Sequence, residues 1–198
     1  MIDNELRSGH FSKDSPKVSK LLHQKFSSPE VLLFNLGYSL LAKSEGITEP
    51  EIIRVVGASF NPKPARICEL LILEAHTTEI DLLLAAVALC STDPILFSEV
   101  LESEGASGVA NIVSSVHAYL NKSNNTDSLT PQAQNLMAAI CLDKVRHLHM
   151  STLTVPDRIS YFQYVDDHIL KIISDPLASR LKIMLETSLK LYKKRITA

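Results

Sequence analysis

Glycine is scarce in this chain, with six residues in 198. With so few turn formers, and no run of alternating β-branched residues long enough for a strand, the sequence argues against a sheet. Long apolar runs are also missing. The longest, Leu82 to Cys90, covers nine residues, far below the roughly 20 that span a bilayer, so no membrane helix and no membrane partner are expected. Met1 to Ser15 is polar and mixed in charge, without the apolar core of a secretion signal, which makes the cytoplasm the default location. Neither sign of charge dominates: 20 Lys and Arg face 22 Asp and Glu, for a net charge of −2 and a pI near 6.4. Such a balance gives no field to draw nucleic acid. The three cysteines, Cys68, Cys90 and Cys141, are too widely spaced for a zinc knuckle or a disulfide framework and read as buried small hydrophobes. There is no Gly-rich phosphate loop, no Ser-His-Asp order and no nucleophilic Cys-His arrangement.

What is present is helical punctuation. Ser28-Pro29-Glu30, Thr48-Glu49-Pro50-Glu51, Asp93-Pro94, Thr130-Pro131, Val155-Pro156-Asp157 and Asp175-Pro176 have the form of helix starts, where proline sacrifices no intrahelical N–H. They predict helices at about 29–44, 49–57, 64–75, 78–90, 94–104, 107–122, 131–149, 156–173 and 176–194. The fold class is therefore all-α. The length and 45% apolar content suit a single-domain helical bundle over 19–198, preceded by a polar arm over 1–18. Asn121 to Asp127 is the clearest internal loop.

Several segments resemble one family in their order along the chain. Asp175-Pro176-Leu177-Ala178-Ser179-Arg180-Leu181-Lys182-Ile183 is similar to a Pro-Leu-Ala-Asn-Arg-Leu-Gly-Ile motif, with Ser179 in place of Asn and Lys182 in place of Gly. Leu142-Asp143-Lys144-Val145-Arg146-His147-Leu148-His149-Met150 resembles an Ala-Asp-Arg-Leu-His-Asn-Met segment. Lys63-Pro64-Ala65-Arg66-Ile67-Cys68-Glu69-Leu70-Leu71 looks like a His-Pro helix start with Lys63 in place of the histidine. These are segments of the HD hydrolase domain of the Rel/Spo homologue family, whose intact members remove pyrophosphate from guanosine tetra- and pentaphosphate using manganese.

The resemblance implies an HD-type helical bundle and, equally, a degenerate metal site. Asp143 matches one ligand position. Leu89-Cys90 or Cys90-Ser91 stands where the His-Asp pair belongs, and the acidic pair that activates water is reduced to Ser91-Thr92-Asp93. Imidazole nitrogens and carboxylates together hold the divalent ion that acidifies a bound water, so replacing three of four ligand positions removes most of that field. The expectation is a protein without catalytic residues or a metal cofactor, acting as a regulatory or binding module in the stringent response, with a guanine nucleotide or a protein as partner. Arg54, ahead of Gly57 and Lys63, matches a basic residue that stacks on guanine. Arg180 lies inside the matching motif. These two are the nucleotide-binding candidates, although an arginine at 180 could equally pair with a scaffold carboxylate. One alternative is an active manganese-dependent pyrophosphohydrolase with a rearranged set drawn from Asp143, His147, His76 and Asp166-Asp167-His168. A second is a protein-interaction scaffold.

Residue geometry constrains these sets. Asp143 and His147 are i and i+4 on one helix face, whereas His149 points elsewhere. Asp166, Asp167 and His168 diverge by about 100° per residue and form a solvated face rather than a convergent site. His76 falls between two helices, as a cap or turn residue, and His10, His23 and His117 carry no signal. The last helix alternates Ile183, Met184, Leu185, Leu189, Leu191 and Tyr192 with basic residues, the pattern of a packed helix with a solvated cationic end.

Overall fold

Residues 80–88, Ile-Asp-Leu-Leu-Leu-Ala-Ala-Val-Ala, have almost no polar face, and a helix of that kind is stable only when surrounded. In the computed structural model, which describes residues 16–43, 64–121, 129–150, 153–173 and 176–196, this segment is enclosed on several sides. The described elements are α1 (Pro16–Lys25), α2 (Ser28–Lys43), α3 (Pro64–Leu73), α4 (Ile80–Ala88), α5 (Pro94–Ser103), α6 (Val109–Asn121), α7 (Pro131–His147), a 3₁₀ turn (Leu148–Met150), α8 (Val155–Tyr164), a π-helical turn (Val165–Ile169) and α9 (Leu177–Ile196). No strand occurs among the described residues. The fold is all-α.

Helix α4 packs on α2, α3, α5, α6 and α7, and α7 in turn packs on α3, α6, α9 and the π turn. These two helices form the centre of the bundle. Leu83 to Ala88 are all fully buried, as are Leu136 to Leu142. Each fully buried leucine contributes about 1.5–3 kcal/mol of transfer free energy. Where α2 crosses α4, close approach is set by Gly37: a Cβ there would lie 2.7 Å from Leu84 Cδ2 and 3.0 Å from Leu101 Cδ2.

The helix starts follow local chemistry. Asp93 accepts from Leu96 N–H, Thr130 from Ala133 N–H and Thr154 from Asp157 N–H, each with proline in the first turn. At α2 the cap is Ser27. Its N–H and hydroxyl donate to the Glu30 carboxylate at 2.7 and 2.6 Å, half of a capping box, and these bonds hold the Glu30 carboxyl below its ordinary pKa.

Three sequence expectations change. Helix α1 was not anticipated: it begins at Pro16, inside the span assigned to the polar arm, and buries Val18 and Leu22 completely. The stretch predicted as one helix over 156–173 runs as α8 to Tyr164 and then widens into the π turn. The packed stripe of α9 is Leu177, Leu181, Leu185 and Tyr192, while Ile183 and Leu191 face outward. The predicted helix at 49–57 and the loop at 121–127, beyond Asn121, lie outside the described residues.

Gly37→Leu will overpack the α2–α4 crossing and lower stability by about 1–3 kcal/mol, read as a reduced midpoint in urea unfolding with an unchanged slope.

Candidate functional site

Charged and polar residues of α3 and of the C-terminal half of α7 face one another across the bundle. From α3 come Arg66, Glu69 and, one residue past its end, Glu74; from α7 come Asp143, Arg146 and His147. Packing α3 against α7 brings the two sets together. The Arg66 guanidinium donates from Nε to Asp143 Oδ1 at 2.8 Å and from Nη2 to Oδ2 at 3.0 Å. This is the planar two-bond arrangement that suits Arg to carboxylates. His147 Nδ1 lies 2.8 Å from the Asp143 carbonyl and 3.1 Å from its Oδ1.

A second fork adjoins the first. Arg146 donates to both oxygens of Glu74 at 2.7 and 3.0 Å, and Arg180, from α9, approaches the same carboxylate at 3.3 Å. Lys17 of α1 pairs with Glu69. Four helices are thus tied by one ionic layer. A cleft of about 300 Å³ opens onto it, lined by Arg66, Glu69, Leu70, Asp143, Arg146 and His147, at the low end of ligand-pocket volumes.

Asp143 is 2% exposed, whereas Arg180 is largely solvent-facing. Behind the carboxylate sits Cys90, just past the end of α4. Burial, with the Asp143 charge second, pushes the Cys90 thiol up out of the ordinary range. Burial does the same to Cys68, whose thiol donates weakly to Leu83 O at 3.7 Å. Cys141 is pushed up to about 12 by burial, against the smaller opposing effects of Tyr161 and Lys144.

Lys144 is fully buried, its Nζ 4.7 Å from the centroid of the Tyr161 ring, a cation–π contact in a desolvated setting.

The structure distributes the remaining sequence candidates widely. Asp93 caps α5. His76 adopts φ 54° in the α3–α4 connection and lines a separate polar cleft with Thr77, Glu79 and Asn135. Asp166 and Asp167 are exposed in the π turn, where the His168 ring packs tilted against Tyr164, centroids 4.9 Å apart, and its carbonyl accepts from Tyr119 Oη at 3.5 Å. His149 is exposed, with Nδ1 against Arg146 O, and His23 and His117 are exposed. Arg54, Lys63 and His10 lie outside the described residues. Among the described residues no three His, Cys, Asp or Glu side chains converge on a common point suited to a metal ion.

The sequence reading assigned no role to Arg66, Glu74, Arg146 or Lys144. For Arg66 a signal was available: with Glu69 it is one of two charged residues in the apolar run Pro64–Leu73, spaced i and i+3. No comparable signal marks Lys144, which adjoins Asp143 in sequence but projects to a different face.

Comparison with family models, with curated proteins and with solved structures finds no match. The resemblance of Asp143, Arg180 and their flanking segments thus stands on those residues alone.

Arg66→Ala will leave the buried Asp143 carboxylate without its bidentate partner and cost about 2–4 kcal/mol. The double variant Arg66→Met, Asp143→Leu will recover most of that loss, because it removes both charges. Urea unfolding of the wild type, Arg66→Met, Asp143→Leu and their double variant measures the coupling.

The thiols supply a pH dependence. A thiol near its ordinary pKa in the unfolded chain but raised to about 12 in the fold, as at Cys141, favours the native state fully below about pH 8.5. That contribution is lost as pH rises toward 12, at up to about 1.4 kcal/mol per pH unit for each such thiol. Cys141→Ala will flatten the alkaline fall in stability, measured by thermal unfolding across that window.

Proposed function

We propose that this chain is a catalytically silent HD-type module related to alarmone hydrolases, working by binding rather than by turnover. The observation that carries this reading is the engagement of Asp143. Its carboxylate, the one match to a metal-ligand position, is held in a two-bond fork by Arg66, and His147 Nδ1 lies against the same group. A guanidinium stands where a bound divalent ion would require open carboxylate lone pairs.

The donor set does not fit manganese. Manganese favours carboxylate, carbonyl and water oxygens, with imidazole where the family supplies it. Here the nearby Cys90 is a buried thiol pushed toward its neutral form, and a thiol binds metal only as thiolate. The rearranged hydrolase set finds no support either, since His76 and Asp166-Asp167-His168 occupy other parts of the bundle.

Arg180 is the residue best placed to meet a ligand. It is largely exposed beside the Arg146–Glu74 fork, and exchange of its single longer contact for a phosphate oxygen leaves Glu74 satisfied by Arg146. A guanine nucleotide carrying several phosphates is the ligand class that the resemblance suggests. The stacking residue would be Arg54.

Metal analysis of the purified protein, joined to calorimetric titration of guanosine tetraphosphate with and without manganese, tests this function. The expected result is no stoichiometric metal and binding that is independent of manganese but weakened about tenfold by Arg180→Ala. Retained metal, with hydrolysis abolished by Asp143→Ala, would overturn the proposal. No nucleotide binding would sink the nucleotide assignment and favour a protein-interaction scaffold.

A further inference from the structure

Between Ile67 and Asn121 the chain carries eight acidic residues and no lysine or arginine, so all 20 cationic residues and the other 14 of the 22 acidic ones lie elsewhere. Glu69 and Glu74 are matched by Lys17, Arg146 and Arg180 across the ionic layer. The remaining six lie on or beside α4 and α5. Their crowding is felt at Asp81: burial, then the charges of Glu79, Glu102 and Glu30, raise its carboxyl pKa, while the Gly108 N–H at 3.0 Å opposes the shift.

Helix α5 turns an amphipathic stripe outward within this acidic region. Leu96, Glu99, Val100 and Ser103 are all exposed and follow the i, i+3, i+4, i+7 spacing of one helix face. Leu96 is 57% exposed and Val100 41%. Helix α9 presents the counterpart. Ile183 and Leu191 are 62% and 60% exposed, two turns apart, with Lys182 and Lys190 exposed beside them. In sequence α9 holds six cationic residues against the single Glu186.

Within one molecule α5 packs inward on α4 and α6, and α9 on α7 and α8. Each outward stripe therefore sits on a helix whose inner side is already engaged. Their charges are opposite, and each carries two large exposed apolar side chains, one turn apart on α5 and about two turns apart on α9.

We propose that the α5 face of one copy docks on the α9 face of a second copy, with Leu96 and Val100 against Ile183 and Leu191 and the flanking acids against Lys182 and Lys190. Because every copy carries both faces, a two-fold arrangement makes the contact twice and closes the assembly. Charge complementarity of this kind sets the register and raises the association rate, and salt weakens it. The inference does not depend on the nucleotide reading, since Arg180 and Asp143 are not needed for it.

Sedimentation velocity on the full chain over a range of concentrations, at low and high salt, tests it. The expected result is reversible self-association that weakens with salt, is reduced about tenfold or more by Glu99→Lys, and is restored when Lys190→Glu is added to that variant. Leu96→Gln removes an exposed side chain, so it will also reduce association while circular dichroism and the unfolding midpoint stay unchanged. A monomer at every concentration overturns the proposal. So does an oligomer indifferent to Glu99→Lys and Leu96→Gln, or a charge-swapped double variant that fails to recover. Association that appears only with an added basic peptide assigns the α5 face to a different partner and equally rejects the self-docking.

Discussion

A carboxylate at 2% exposure, as at Asp143, needs a fixed counter-charge, because water is no longer there to solvate it. Arg66 supplies that charge from a helix 77 residues away in sequence, and its two hydrogen bonds fix both the distance and the rotation of α3 relative to α7. The second fork joins Arg146, one turn further along α7, to Glu74 just past the end of α3, and recruits Arg180 from α9. A purely apolar contact would let α3 slide along α7 at small cost. The two planar forks leave one register, and the cleft above them takes its shape from that register.

The same layer decides what the cleft is chemically. Cations and carboxylates are closely matched there, so it offers directional hydrogen bonding rather than a strong net field. Beneath it lies the largely apolar core. Cys68, Cys90 and Cys141 are all buried and form no disulfide, and the pressure of burial toward the neutral thiol makes them packing residues rather than nucleophiles. Charge that is not matched internally is displaced outward, acidic along α5 and basic along α9. An overall charge near zero thus conceals a strongly polar molecule.

Much of the fold was legible in the sequence because its signals are local. Asp93-Pro94, Thr130-Pro131 and Val155-Pro156-Asp157 marked helix starts within a residue or two, since an N-cap satisfies donors only three residues away. The apolar run at 82–90 could be read as a buried helix for a similar reason. Helix α1 was missed because its polar, lysine-rich composition masks a short core-facing set, the buried Val18 and Leu22 with Leu21 beside them. The outward turn of Ile183 and Leu191 was also missed. A basic amphipathic helix with apolar residues on more than one side does not declare which of them is covered.

For the site, the sequence by itself determined the pairing of Asp143 with His147, because four residues along a helix is a fixed geometric step. It also determined that Cys68, Cys90 and Cys141 are internal, since each lies within an apolar stretch. Only the tertiary structure decided that Arg66 is the partner of Asp143, that Glu74 is shared by Arg146 and Arg180, and that Lys144 lies over Tyr161 in the core. Those contacts join residues on different helices, and which arginine meets which carboxylate depends on the rotation and register of packed helices, quantities that no local pattern encodes.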